Sequence, residues 1–295
     1  MIPFVRDFDF AYGRSDTVSP LIRRVVADNP GPFTFTGTGT YIVGHGEVAV
    51  IDPGPDDPAH LQALLAALDG ERVSHILITH SHLDHWPLAG PLQAAVGAPI
   101  LGRAAAGAHI RFEGGEGASN MVFRPDVELE DGQLIHGSGW TIEAMFTPGH
   151  ASDHTAFVLA EANALFSGDH VMGWSTTVVS PPDGDMGDYL ASLDKVRARS
   201  FDTLWPTHGP PVTDPAPFLD AYKQHRLDRE AQILEQLKAG RGRISEMVPA
   251  LYAAVDQRLW PAAAQSVLAH LAHLVATGRA TALPSPATET IYRIV

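Results

Sequence analysis

The chain has 295 residues, enough for one large domain and a small companion around a substantial core. Its 20 basic and 34 acidic residues give a net charge of −14, which opposes long-range attraction of polyanions. Cysteine is absent, so disulfides and thiolate metal ligands are excluded, and no apolar run approaches the roughly 18 residues of a membrane span. Residues 1–9 lack a basic head followed by an apolar core, so no secretory signal is read there and a cytoplasmic location is expected.

Residues 1–36, interrupted by Pro20, Pro30 and Pro32, read as irregular, an N-terminal strand or flap. Segments 40–44 and 48–52 read as paired strands around His45-Gly46-Glu47, closed by Asp52-Pro53-Gly54. Residues 58–69 predict a helix, with Leu61, Leu64, Leu65 and Leu68 at three- and four-residue spacing. His75-Ile76-Leu77-Ile78 reads as a buried strand, and 102–120, rich in Gly and Ala, as a mobile loop or loose helix. Strands are expected at 140–147, 155–160, 164–168 and 203–206, with a helix over 186–199. This rhythm predicts an α/β fold of αββα type, two sheets face to face with helices outside, over residues 1–212.

Beyond it, Asp214 suits a helix cap with Pro215 at the first position, and Leu227, Ala231, Leu234 and Leu237 form the expected apolar stripe. Gly240 is the stop, which makes 213–240 a connecting helix. A short helix at 244–252, a longer one at 261–277 stopped by Gly278, and terminal strands predict a winged-helix-like α+β domain over 241–295. Its longer helix carries no Lys or Arg, while Val267, Leu268, Leu271, Leu274 and Val275 sit at core spacing. Phosphate contact needs Lys or Arg, so this domain is expected to pack rather than to read nucleic acid.

The chemistry is concentrated in Thr79-His80-Ser81-His82-Leu83-Asp84-His85, directly after the 75–78 strand. Imidazole nitrogen and carboxylate oxygen suit Zn²⁺ at roughly 2.0–2.2 Å. On an extended segment His80 and His82 face the same way, while Asp84 and His85, at the turn, can aim at a second point. One segment could thus supply half the ligands of two metals. Three more ligand types follow strands: His150 in Thr147-Pro148-Gly149-His150, Asp169 in Ser167-Gly168-Asp169, and His208 in Thr207-His208-Gly209. His154 suits a hydrogen bond behind a metal ligand, or a structural role. His170 and Trp174, just past Asp169, are expected at the rim of a substrate pocket. His225 reads as helix packing or a dimer surface, and His60, His75, His109, His136, His270 and His273 as background. No serine stands in a convincing triad, and Gly37-Thr38-Gly39 is a turn, since no Gly-Lys-Ser/Thr follows.

The order His-x-His-x-Asp-His, Thr-Pro-Gly-His, Ser-Gly-Asp and His-Gly resembles the metallo-β-lactamase superfamily. Within it, the chain is most similar to the β-lactamase-like protein 2 group, which carries a C-terminal winged-helix-like domain. Gly37-Thr38-Gly39-Thr40-Tyr41 and the helix residues Tyr222, His225, Arg226, Arg229, Glu230, Gln232, Ile233 and Leu234 match that group's pattern. The likeness runs from about Thr38 to the C-terminus. It implies that His80, His82 and His150 hold one metal, that Asp84, His85 and His208 hold a second, and that Asp169 bridges them. Relatives often have Gly-His-Gly where this chain has Thr207-His208-Gly209, which bears on the orientation of His208. Where many have a Gly-rich turn, Trp86-Pro87-Leu88 follows His85 and adds bulk at the pocket mouth.

The implied activity is that of a dinuclear-zinc-dependent hydrolase whose metal-bridging hydroxide attacks a small ester, thioester or lactone, with Asp84 catalytic. Two Zn²⁺ less Asp84, Asp169 and the hydroxide leave a local charge of about +1, which would stabilise an anionic transition state on an acidic protein. Other divalent transition metals, single-strand endoribonuclease action and weak promiscuous β-lactamase turnover stay open. So does a metal-free winged-helix regulator on a dead hydrolase fold, against which the intact ligand set argues. The expected partner is a small-molecule substrate and not a membrane; nucleic acid is disfavoured, with single-stranded RNA and a homodimer left open.

Overall fold

The computed structural model describes residues 1–104, 122–283 and 285–295. Most of the 102–120 segment, with His109, lies outside the described residues.

The first sheet takes seven strands in chain order: β1 (Ser15–Ser19), β2 (Ile22–Val26), β3 (Gly39–His45), β4 (Glu47–Ile51), β5 (Arg72–Leu77), β6 (Ile100–Gly102) and β7 (Val127–Glu128). Pairing is antiparallel from β1 to β4 and parallel from β4 to β7. Helices α1 (Pro58–Ala67) and α2 (Ala89–Val96) make the crossovers. The second sheet runs in the order β12-β11-β10-β9-β8, with β8 (Leu134–Gly137), β9 (Trp140–Phe146), β10 (Thr155–Leu159), β11 (Ala164–Gly168) and β12 (Thr203–Pro206). Between β11 and β12 lies α3 (Met186–Arg197), and α4 (Pro215–Lys238) follows.

Strand periodicity sorts the side chains into layers. Tyr41, Val43, Ile51 and Leu77 meet Ile142, Phe157, Phe166 and Trp205 between the sheets. The alternate residues Ile42, Val50, Ile76 and Ile78 pack outward under Leu64 of α1 and Leu92 of α2. On the far side Met145, Val158 and Leu165 lie under Tyr189 and Leu193 of α3 and Phe218 and Leu219 of α4. Both faces of the central strands are buried, so these strands read as continuous apolar runs rather than alternating ones. The arrangement is an αββα sandwich.

The C-terminal unit packs α5 (Ile244–Leu251), α6 (Trp260–Ala276), β13 (Ala280–Leu283) and β14 (Ile291–Ile294) on the end of α4. Ile233 and Leu237 of α4 join Met247, Val267, Leu271, Leu274 and Tyr292 in one cluster.

Three local expectations need correction. Within 1–36, read as irregular with a strand or flap, residues 15–26 form two paired strands, the β1–β2 hairpin. The buried face of α4 is Phe218, Leu219, Tyr222, Arg226, Glu230, Ile233 and Leu237, while Leu227 and Ala231 are exposed. Apolar periodicity skips Arg226 and Glu230, which are buried because each has a partner: Arg226 donates to Thr177 O and Glu230 accepts from Arg279. Asp214 stands before α4 but makes no side-chain cap bond.

Candidate metal centre

Strands β9, β11 and β12 all run the same way, so their C-terminal ends share one edge of the second sheet. His150 follows β9, Asp169 follows β11 and His208 follows β12, while 80–85 follow β5 of the facing sheet. The turns are tight. Gly149 has φ 133°, and a Cβ there would lie 2.3 Å from Tyr189 Cα. Gly168 has φ 52°, and its Cβ would meet His154 Nε2 at 2.5 Å. Both turns need glycine for its free φ and its missing side chain.

The seven expected ligands converge. His82 Nδ1 lies 2.9 Å from His80 Nε2 and 3.0 Å from His150 Nε2. Asp84 Oδ2 is 3.2 Å from His208 Nε2 and 3.7 Å from His85 Nε2. Asp169 stands between the two triads, with Oδ2 3.6 Å from His150 Nε2 and 3.7 Å from His85 Nε2, and Oδ1 3.4 Å from His208 Nε2. Ligands at about 2.0–2.1 Å around a tetrahedral ion are separated by about 3.3–3.4 Å, so these spacings suit a metal. Within each of the sets His80/His82/His150, His80/His85/Asp169 and Asp84/His85/His208, the ligand atoms lie within 4.8 Å of one another. His85 Nε2, His208 Nε2 and Asp169 Oδ1 are buried without a hydrogen bond, which fits atoms reserved for coordination.

The outward nitrogens fix the tautomers. His150 Nδ1 donates to Val178 O at 2.6 Å, His208 Nδ1 to Gly37 O at 3.2 Å, and His85 Nδ1 to Asp52 Oδ2 at 2.8 Å. Carbonyl and carboxylate oxygens only accept, so in each neutral ring the inward Nε2 carries the lone pair.

Burial lowers His80 well below the ordinary histidine value, helped by the neighbouring His85, His82 and His150. Burial and then His150 take His82 down to about 3. Burial also opposes charge on His85, but Asp84, Asp169 and Asp52 outweigh it and hold the ring well above its usual value. His208 is raised in the same way, Asp169 and Asp84 outweighing burial. Asp84 and Asp169 fall below the carboxylate range despite burial, because His85 and His208 face them.

Two supporting residues stand behind the cluster, Asp52 found only with the fold and His154 already expected from the sequence. Asp52, read only as a strand end, has its carboxylate met by four donors: Thr79 N, Thr79 Oγ1, Thr207 Oγ1 and His85 Nδ1. Its φ of 48°, uncommon for a non-glycine residue, is the backbone mark of a constrained position. His154 accepts from Asp169 N at 3.1 Å and bonds Thr147 Oγ1 at 2.8 Å, so it orients the residue between the triads.

The expected pocket residues are dispersed. Trp86 donates to Ser81 O at 3.0 Å and packs on Phe123, ring centroids 5.3 Å apart. Trp174 stacks on Phe35 at 4.8 Å, and the pair covers Gly209 beside His208. His170 is fully enclosed, its ring 5.1 Å from that of Tyr189.

Residues 34–208 match the Metallo-beta-lactamase superfamily, and 244–285 match the Beta-lactamase associated winged helix domain. The chain is 34% identical over 238 residues to "Lactamase-like protein adaB" of Aspergillus niger, covering 78% of this chain and 68% of that one. It is 36% identical over 252 residues to "Atrochrysone carboxyl ACP thioesterase" of Aspergillus chevalieri, covering 81% and 76%. It is 31% identical over 227 residues to "Beta-lactamase-like protein 2 homolog" of Caenorhabditis elegans, covering 76% and 73%. In fold it is similar to a Beta-lactamase domain protein from Burkholderia ambifaria, with TM-score 0.79, 21% identity and 100% and 97% of the two chains covered. Fold, motif order and relatives agree: the chain belongs to the metallo-β-lactamase superfamily and carries that superfamily's associated winged-helix domain.

Proposed function

We propose that this superfamily hydrolase works with two zinc ions on a small ester, thioester or lactone, with thioesters favoured. The observation that carries the reading is Asp169, whose two oxygens face different histidines between two triads of converging ligand atoms. His80, His82 and His150 would hold one ion, Asp84, His85 and His208 the other, and Asp169 both. Bound zinc lowers the pKa of a coordinated water and polarises a carbonyl oxygen. In the neutral rings, the Nδ1 bonds to Val178 O, Gly37 O and Asp52 leave Nε2 of His150, His208 and His85 as the nitrogen free to coordinate. Asp84, whose side chain is 29% exposed, presents Oδ2 beside His208 and suits a group that accepts a proton from attacking water. A thioester is favoured by the likeness to the Aspergillus chevalieri protein named as a thioesterase. A net charge of −14 disfavours polyanionic RNA.

Protein purified without chelator should contain about two metal equivalents and turn over an acyl thioester faster than a lactone, a cephalosporin or single-stranded RNA. Chelation should abolish turnover and zinc restore it, while Asp169→Ala should lose one equivalent and most activity. One equivalent or less after zinc addition, or cleavage of RNA alone, would overturn the reading.

A further inference from the structure

Asp169 is held at both of its peptide groups. Its N–H donates to His154, and its carbonyl accepts from Thr177 Oγ1 at 2.8 Å, a hydroxyl that also reaches His170 O at 3.0 Å. The next carbonyl after Thr177, Val178 O, is the one that fixes His150. The segment 169–178 therefore sets two of the seven candidate ligands, yet it forms no helix or strand of its own. Something else must hold it.

That support is α4. The Tyr222 hydroxyl donates to Ser175 O at 2.7 Å and accepts from Thr177 N at 2.8 Å and Met172 N at 3.4 Å. One turn along the helix, buried Arg226 donates to Thr177 O and lies 5.1 Å over the Tyr189 ring. Tyr189 in turn donates to His170 O at 2.8 Å. Consecutive carbonyls are thus divided: Thr177 O is held by α4, and Val178 O holds His150. One turn further, Glu230 pairs with Arg279 of the C-terminal unit.

We infer that Tyr222 and Arg226 are positioning residues of the metal centre, acting through Thr177 on Asp169 and through Val178 on His150, and that α4 braces the site from the C-terminal domain. The inference rests on the reading of the cluster as a metal site. A slack segment would leave Asp169 and the His150 tautomer less constrained, and losing a group that orients a ligand costs about 10- to 100-fold in metal affinity.

The test is cobalt titration of metal-free, full-length protein, following the Co²⁺ absorption spectrum and the dissociation constants alongside the melting temperature of the metal-free form. Tyr222→Phe keeps the ring and removes the hydroxyl; Thr177→Val removes the link to Asp169, and Thr177→Ser restores it. Tyr222→Phe and Thr177→Val should weaken cobalt binding about tenfold or more and change the spectrum, with Thr177→Ser returning both towards wild type. Unchanged affinity and spectrum in both, even with a lowered melting temperature, would reduce these residues to ordinary packing and overturn the inference. Should Tyr222→Phe fail to fold, the Thr177 pair decides. Wild-type protein that binds no cobalt would remove the metal reading and this inference together; wild-type binding with unaffected variants removes the inference alone.

Discussion

Asp52 shows how much of the site depends on groups that never face its centre. Four donors point at one carboxylate that is wholly enclosed, and the Nδ1 hydrogen of His85 is directed outward to it. Asp52→Asn would turn an amide N–H₂ towards at least one of those donors. The expected result is a loss of about 1–3 kcal/mol in stability and a drop of about 10- to 100-fold in metal affinity. Urea unfolding and metal titration measure the two, and wild-type values in both would show that Asp52 does not orient His85. The convergence of the seven candidate ligands was legible, because His80, His82, Asp84 and His85 share one short segment and His150, Asp169 and His208 each follow an apolar strand. Asp52 was not. It precedes Pro53-Gly54, which reads as a turn, and its link to His85 spans 33 positions and appears only when β4 pairs with β5.

At the level of elements, α1 is fastened to the sheet by a histidine that sequence spacing passes over. His60 Nε2 bonds Thr40 Oγ1 at 2.9 Å, and that hydroxyl donates to Asp52 O at 2.7 Å. Burial holds His60 down to about 4 from the ordinary 6.5. The folded chain therefore stays neutral here while the unfolded chain takes up a proton, so stability is complete above about pH 6.5 and declines as the pH falls towards 4. The loss approaches about 3 kcal/mol at the acid end. Unfolding of wild type and His60→Gln between pH 7 and 4 should show the wild-type curve falling more steeply; parallel curves would contradict the assignment. Elements with a clean apolar period were read correctly, as α3 and β9 to β12 show. The inward face of α4 was misplaced because burial there is maintained by pairing: Arg226 and Glu230 occupy positions that a hydrophobic pattern assigns to solvent.

Over the whole molecule, the C-terminal unit is continuous with the catalytic core through α4 and α6. Ala269 of α6 packs into the cluster under α3, and Val267, Leu271 and Leu274 are fully buried against the end of α4. At about 1.5–3 kcal/mol for each large aliphatic side chain buried, this contact outweighs anything scattered surface arginines contribute. Two of those arginines are also committed, Arg258 to Asp256 and Arg279 to Glu230. Truncation after Gly240 should therefore give aggregation or a much lower melting temperature, and the full chain should show no salt-sensitive binding to duplex DNA at micromolar concentration. A soluble and equally stable truncation, or tight duplex binding that weakens steeply with salt, would show that this unit has another role. The hydrogen bond from His208 to Gly37 carries one more consequence, since it joins residues 171 positions apart. On a growing chain, everything up to His208 must be synthesised before the second triad can close, at a pace of about 5–20 residues per second. A metal held by both triads would thus be captured late in the life of the nascent polypeptide.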